Sequence, residues 1–139
     1  MRIVLDLQSV QTEIGIGDGS RSGLLFAQAI VSNRGEHEII LALSGFFNNT
    51  IELIRAAFDG LLPQENIRIW HSIGPVRECE LGNTWRREAS ECIREAFLTG
   101  LRPDFVFIPN IFVGFNDDCV VSVGVFAKNI KTIVAVNNL

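Results

Sequence analysis

The stretch Met1-Arg2-Ile3-Val4-Leu5-Asp6-Leu7-Gln8, followed by Gly15-Ile16-Gly17-Asp18-Gly19-Ser20-Arg21, decides the fold of this chain. Ile3 to Leu7 is a short apolar run suited to a strand covered on both faces. The glycines then open a loop, and Ser22-Gly23-Leu24-Leu25 begins a helix. Strand, glycine-rich loop and helix in that order present backbone N–H groups to a phosphate.

The same alternation recurs outward from this start. Residues 22–32 carry Leu24, Leu25, Ala27, Ala29 and Val31, a mostly apolar helix of the kind that lies on a sheet, ended by the Asn33-Arg34-Gly35-Glu36 turn. Residues 38–43 predict a second strand. A helix is expected over 50–61, with Ile51, Ile54, Ala57 and Phe58 at helical spacing after an N-cap from Asn48-Asn49-Thr50. Pro63 closes it, and 66–70 predict a third strand. Residues 73–82, containing Gly74-Pro75, show no period and read as a loop of a length that often carries function. The strongest helix spans 84–100, with Trp85, Ala89, Cys92, Ile93, Ala96 and Phe97 on one stripe and Arg86, Arg87, Glu91, Arg94 and Glu95 mostly off it. Residues 104–108 and 132–136 predict the fourth and fifth strands. Between them Asp117-Asp118 can begin a short helix through 127, although Val120, Val121, Val123 and Val125 also suit a strand.

Strands alternating with helices at this spacing imply an α/β, Rossmann-like parallel sheet of about five strands with helices on both faces, a three-layer sandwich. Ligands in such sheets gather beyond the carboxyl ends of the strands, here the segments 8–21, 44–49, 71–75, 109–115 and 137–138.

Composition bounds the function. With 139 residues and 47% hydrophobic residues, one core and a single domain over 1–139 are expected. A net charge of -4, with twelve Lys and Arg scattered among sixteen acids, gives no footprint for nucleic acid. No secretory leader and no membrane-length apolar run is evident, so a cytoplasmic protein is expected. The three cysteines, Cys79, Cys92 and Cys119, fit neither a metal pair nor a disulfide framework and read as reduced. With His37 and His71 the only histidines, no metal site and no cofactor are expected.

Candidate site residues follow from the loops. Gly15, Gly17, Gly19, Ser20 and Arg21 form a phosphate-or-acceptor loop, in which Ser20 takes the place of the third glycine of a dinucleotide fingerprint. Ser44-Gly45 stands where an acid would hold a ribose, which disfavours NAD. The loop reads either as a phosphate cradle, with Arg21 as bidentate donor, or as a turn whose glycines allow positive φ. His71, Asn110, Asn116 and Asn137 lie at the ligand edge. His71 reads as an acceptor contact or a plain surface residue; Asn110 and Asn116 flank Ile111 to Phe115, a lip or a cover for the sheet. Asp117-Asp118 reads as a cap rather than a catalytic pair, and Arg86-Arg87 as solvated surface.

Four segments together resemble the N-terminal half of a group 1 (family 4) glycosyltransferase. They are the opening run 1–8, then Gly19-Ser20-Arg21-Ser22-Gly23-Leu24-Leu25-Phe26-Ala27-Gln28-Ala29-Ile30, Glu36-His37-Glu38-Ile39-Ile40-Leu41-Ala42-Leu43-Ser44-Gly45, and Arg102-Pro103-Asp104-Phe105-Val106-Phe107-Ile108. The resemblance implies two Rossmann-like domains facing a cleft, the N-terminal one holding the acceptor and the C-terminal one the nucleotide-sugar. It also implies a metal-independent, retaining sugar transfer. Where the family often carries a histidine this chain has Phe107, and where it often carries Tyr-Asp or His-Asp this chain has Asn137-Asn138. The expected partners are a nucleotide-sugar or glycan acceptor and a donor domain, which can be a separate polypeptide; alone, the chain is expected to be inactive. The alternative is a non-catalytic interaction module, and either version is expected to form a homo-oligomer through the uncovered surface.

Overall fold

The computed structural model describes residues 1–16 and 21–136. Strands β1 (Arg2–Asp6), β2 (Glu38–Ser44), β3 (Ile67–Trp70), β4 (Phe105–Ile108) and β5 (Thr132–Val134) form one sheet in the order β3-β2-β1-β4-β5. Every adjacent pair is parallel. The order reverses between β1 and β4, the crevice where open α/β sheets take ligands.

Side chains alternate across β2: Ile39, Leu41 and Leu43 enter one core, Ile40 and Ala42 the other. Against the first face pack α1 (Gln8–Ile16), α2 (Ser22–Ser32) and α3 (Ile51–Ala57), through Val10, Leu24, Ala27, Val31 and Ile54. Against the second packs α4 (Thr84–Gly100), with Leu98 meeting Val4, Val106 and Ile108. The three-layer α/β architecture read from the sequence is therefore present.

Several local expectations are corrected. The segment after β1 is a helix rather than a loop: the Gln11 N–H donates to the Leu7 carbonyl at 2.9 Å, and Gln8 and Gln11 are both buried in α1. The third helix stops at Ala57, yet Phe58 and Leu62 stay buried because the turn after it folds back onto the core. The last strand ends at Val134.

The helix expected over 117–127 does not form. Asp117 accepts from the Gly114 and Cys119 N–H groups, at 3.0 and 2.9 Å, and so closes a turn. Asp118 accepts from Val76 N–H at 2.8 Å, a tertiary partner that takes it out of any helix start. Gly114 has φ +98, and a Cβ there would sit 2.7 Å from the Cys119 carbonyl oxygen, so this turn requires glycine. Among the described residues, no helix is long and apolar enough to cross a membrane.

Candidate functional site

A polar spine builds the carboxyl edge of the sheet. In α4 the buried residues are Ser90, Arg94, Glu95 and Leu98, while Trp85 and Cys92 of the expected stripe are exposed. The helix is rotated because its inward charges are paired. Arg94 donates from Nε and Nη2 to Asp6 Oδ2 at 2.9 and 2.6 Å, and from Nη1 to the Ser122 carbonyl at 2.8 Å. Gln8 reads the backbone of Val120 on both sides, its Nε2 donating to the carbonyl at 2.7 Å and its Oε1 accepting the N–H at 2.9 Å. These bonds pin the segment after β4 to the end of β1.

Glu95 pins the same segment further on, accepting from Ser122 Oγ at 2.6 Å and from the Phe126 and Ala127 N–H groups at 3.0 Å each. Burial opposes its ionisation, but the hydrogen bonds together prevail and hold its carboxyl below the ordinary value of 4.5. A carboxylate with a lowered folded pKa contributes stability above its unfolded value, and that stability is lost as pH falls through the folded value. Glu95→Gln is thus expected to cost about 1–3 kcal/mol at pH 7, since the bonds it weakens are made to a charged group. The deficit against the parent should shrink below pH 4.5 in urea titrations run across the acid range.

A second set of contacts draws the other loops together. Gln11 accepts from Ser44 N–H at 2.8 Å and donates to the Ser44 carbonyl and Thr50 Oγ1 at 3.0 and 3.1 Å, fixing the short 3-10 segment Gly45–Thr50 on α1. Arg77, after β3, donates from Nη2 to Asp118 at 3.1 Å, and this hydrogen bond holds its guanidinium above the ordinary value. Arg87, expected on the solvated face, instead donates from Nη1 to the carbonyls of Val76, Gly114 and Cys119. Burial pushes the Cys119 thiol up, so it behaves as a small apolar residue.

Three clefts open on this edge. The first, about 350 Å³, lies between α1 and the loops after β2, β3 and β4, with Gln11, Thr12, Asn49, Arg77, Asn116 and Asp117 in its wall. Among the described residues the Asn49 and Asn116 amides make no hydrogen bond, and neither does Arg77 Nε. The second, also about 350 Å³, sits at the reversal between β1 and β4 and includes Ser9, Glu13, Gly23, Phe26 and Asn110. The third is larger, about 450 Å³, at the start of α4. Four of its charges pair with one another, Arg77 with Glu80 at 3.9 Å and Arg87 with Glu91 at 3.5 Å, and its Asn83 amide is engaged by Arg77 and Arg86. Burial still raises the Glu91 carboxyl, with Arg87 opposing. The first cleft is the better ligand site because its amides remain open for a ligand.

The sequence-predicted residues divide between these places. Gly15 and Asn116 line the first cleft and Asn110 the second, where its Oδ1 accepts the Phe112 N–H at 2.8 Å. Arg21 is exposed at the start of α2 and makes no side-chain cap. His71 is exposed beside Gly45, whose Cβ position its ring occupies, and lines none of the three clefts. Gly17, Gly19, Ser20 and Asn137 lie outside the described residues. Gln11, Thr12, Asn49 and Arg77 are additions from the structure. The Gln8-x-x-Gln11 spacing directly after an apolar strand was the available signal, two amides on one helical face.

The chain is 27% identical over 124 residues to a serotype-specific mannosyltransferase WbdA of Escherichia coli, covering 88% of this chain and 15% of that protein. The chain is glycosyltransferase-like over most of its length. Two further Escherichia coli WbdA mannosyltransferases match over 98 residues at 28% and 26% identity, each covering 70% of the chain and 12% of the relative. The glycosyltransferase-like chain thus spans less than a sixth of the relatives it matches. No family model and no solved structure matches it.

Proposed function

We propose that this chain is the acceptor-side half of a nucleotide-sugar-dependent, metal-independent, retaining sugar transferase, and that the acceptor is a mannose-containing glycan. The observation that carries the reading is the first cleft, where the unengaged amides of Asn49 and Asn116 and the guanidinium of Arg77 converge at the carboxyl edge of a parallel sheet. An amide both donates and accepts, which matches a sugar hydroxyl in either role, and an arginine adds fixed donors. Similarity to mannosyltransferases supports mannose as the sugar transferred, and a glycan that grows by mannose transfer presents mannose as its next acceptor. The donor is held by a second domain facing the same edge, on the same polypeptide or on another, and these 139 residues alone do not transfer sugar.

Calorimetric titration of the 139-residue chain with mannobiose tests this reading. Saturable heat is expected, and Asn49→Ala combined with Asn116→Ala should weaken binding about tenfold or more through loss of two hydrogen-bonding groups. Both side chains are exposed and unpaired, so folding should be unaffected. Heat that is absent, or unchanged in the double variant, contradicts the assignment.

A second reading, a self-associating interaction module, is favoured by one feature. β5 is an edge strand with Ile133 49% and Val134 37% exposed, and Val125 and Phe126 in the segment before it are 53% and 51% exposed. Apolar edges of this kind template pairing between chains. Light scattering that gives a stable dimer together with a silent mannobiose titration would favour it.

A further inference from the structure

The second cleft occupies the reversal between β1 and β4, where doubly wound folds seat phosphate groups on a helix start. Here the protein fills that position with its own anion: Glu13 Oε2, from α1, accepts the Gly23 N–H in the first turn of α2 at 3.3 Å. Gly23 makes the approach feasible, since a Cβ there would fall 2.8 Å from the same oxygen. Among the described residues of the crevice wall Glu13 is the only charged one; Arg21, next to α2, is exposed and does not line it. The remaining groups are the Ser9 and Ser22 hydroxyls, the Asn110 amide and the half-exposed ring of Phe26. A few hydroxyl and amide groups around an aromatic ring suit the polar rim and apolar face of a pyranose.

We propose that this crevice is a subsite for an uncharged hexose unit, and that Glu13 is the specificity residue that excludes phosphorylated sugars from it. The inference rests on the reading of the chain as a sugar-binding domain. Like charges brought together at one helix start repel, so the carboxylate turns an anion site into one that refuses anions.

The test compares methyl mannoside with mannose 6-phosphate on the 139-residue chain, as parent, Glu13→Gln and Asn110→Ala. The glutamine keeps an oxygen for the Gly23 N–H, so the fold is retained, which amide spectra check. The parent is expected to bind the neutral sugar at least about tenfold more tightly than the phosphate, and Glu13→Gln to narrow that ratio by about tenfold. Asn110→Ala should weaken the neutral sugar. A parent that binds both sugars equally, or a ratio unchanged by Glu13→Gln, overturns the proposal. If both variants leave methyl mannoside binding intact while Asn49→Ala with Asn116→Ala removes it, the sugar sits in the first cleft: the functional reading stands and this one falls. Absence of any sugar binding removes both.

Discussion

Arg94→Met is expected to lower unfolding free energy by about 3–5 kcal/mol, the cost of stranding one member of a buried ion pair. Asp6 and Arg94 side chains are each 1% exposed and meet at 2.6 Å. Without the guanidinium, the Asp6 carboxylate keeps, among the described residues, only the weaker donors of Gln8, at 3.1 to 3.2 Å. The Ser122 carbonyl loses its partner too. Combining Asp6→Leu with Arg94→Met should recover most of the loss, because an apolar pair of similar volume is often as stable as a buried salt bridge. Urea denaturation of the three variants measures both effects. A single variant within about 1 kcal/mol of the parent would mean that solvent reaches the pair.

Gln8→Leu is the next largest, at about 2–4 kcal/mol, since Val120 is fully buried and both its N–H and its carbonyl lose their partner. The change is nearly isosteric, so the penalty comes from unsatisfied backbone rather than from a cavity. It should also reach the ligand. The loop bearing Asn116 and Asp117 is anchored immediately beyond them by Val120, and loosening that anchor widens the first cleft. Hydrogen exchange at the Val120 amide should be slow in the parent and fast in the variant, with mannobiose affinity falling alongside. An unchanged exchange rate would show that the amide is protected by something other than Gln8.

The strands were legible because parallel strands covered on both faces leave unbroken apolar runs, as in β2, where every residue from Ile39 to Ser44 is buried. The elements misread share a different cause. α1 turns Gln8 and Gln11 inward, and α4 turns Arg94 and Glu95 inward, so a count of apolar positions assigns those residues to solvent and rotates or dissolves the helix. Asp118 looked like a helix start because capping is a local rule. Its actual partners, Val76 and Arg77, lie 42 and 41 residues away. The site was legible only in part for the same reason. Gly15, Asn49, Asn110 and Asn116 could be placed at the edge from strand ends, whereas Arg77 joins the first cleft through contacts that no sequence period marks.

The most direct test of the account is amide chemical-shift mapping of the 139-residue chain during titration with mannobiose. The account predicts saturable shifts clustered at the carboxyl edge, at Thr12, Asn49, Arg77 and Asn116, with little change at the opposite edge around Gly35 and Arg102. Saturation without that cluster, or no shifts at millimolar sugar, would contradict an acceptor site built on this edge.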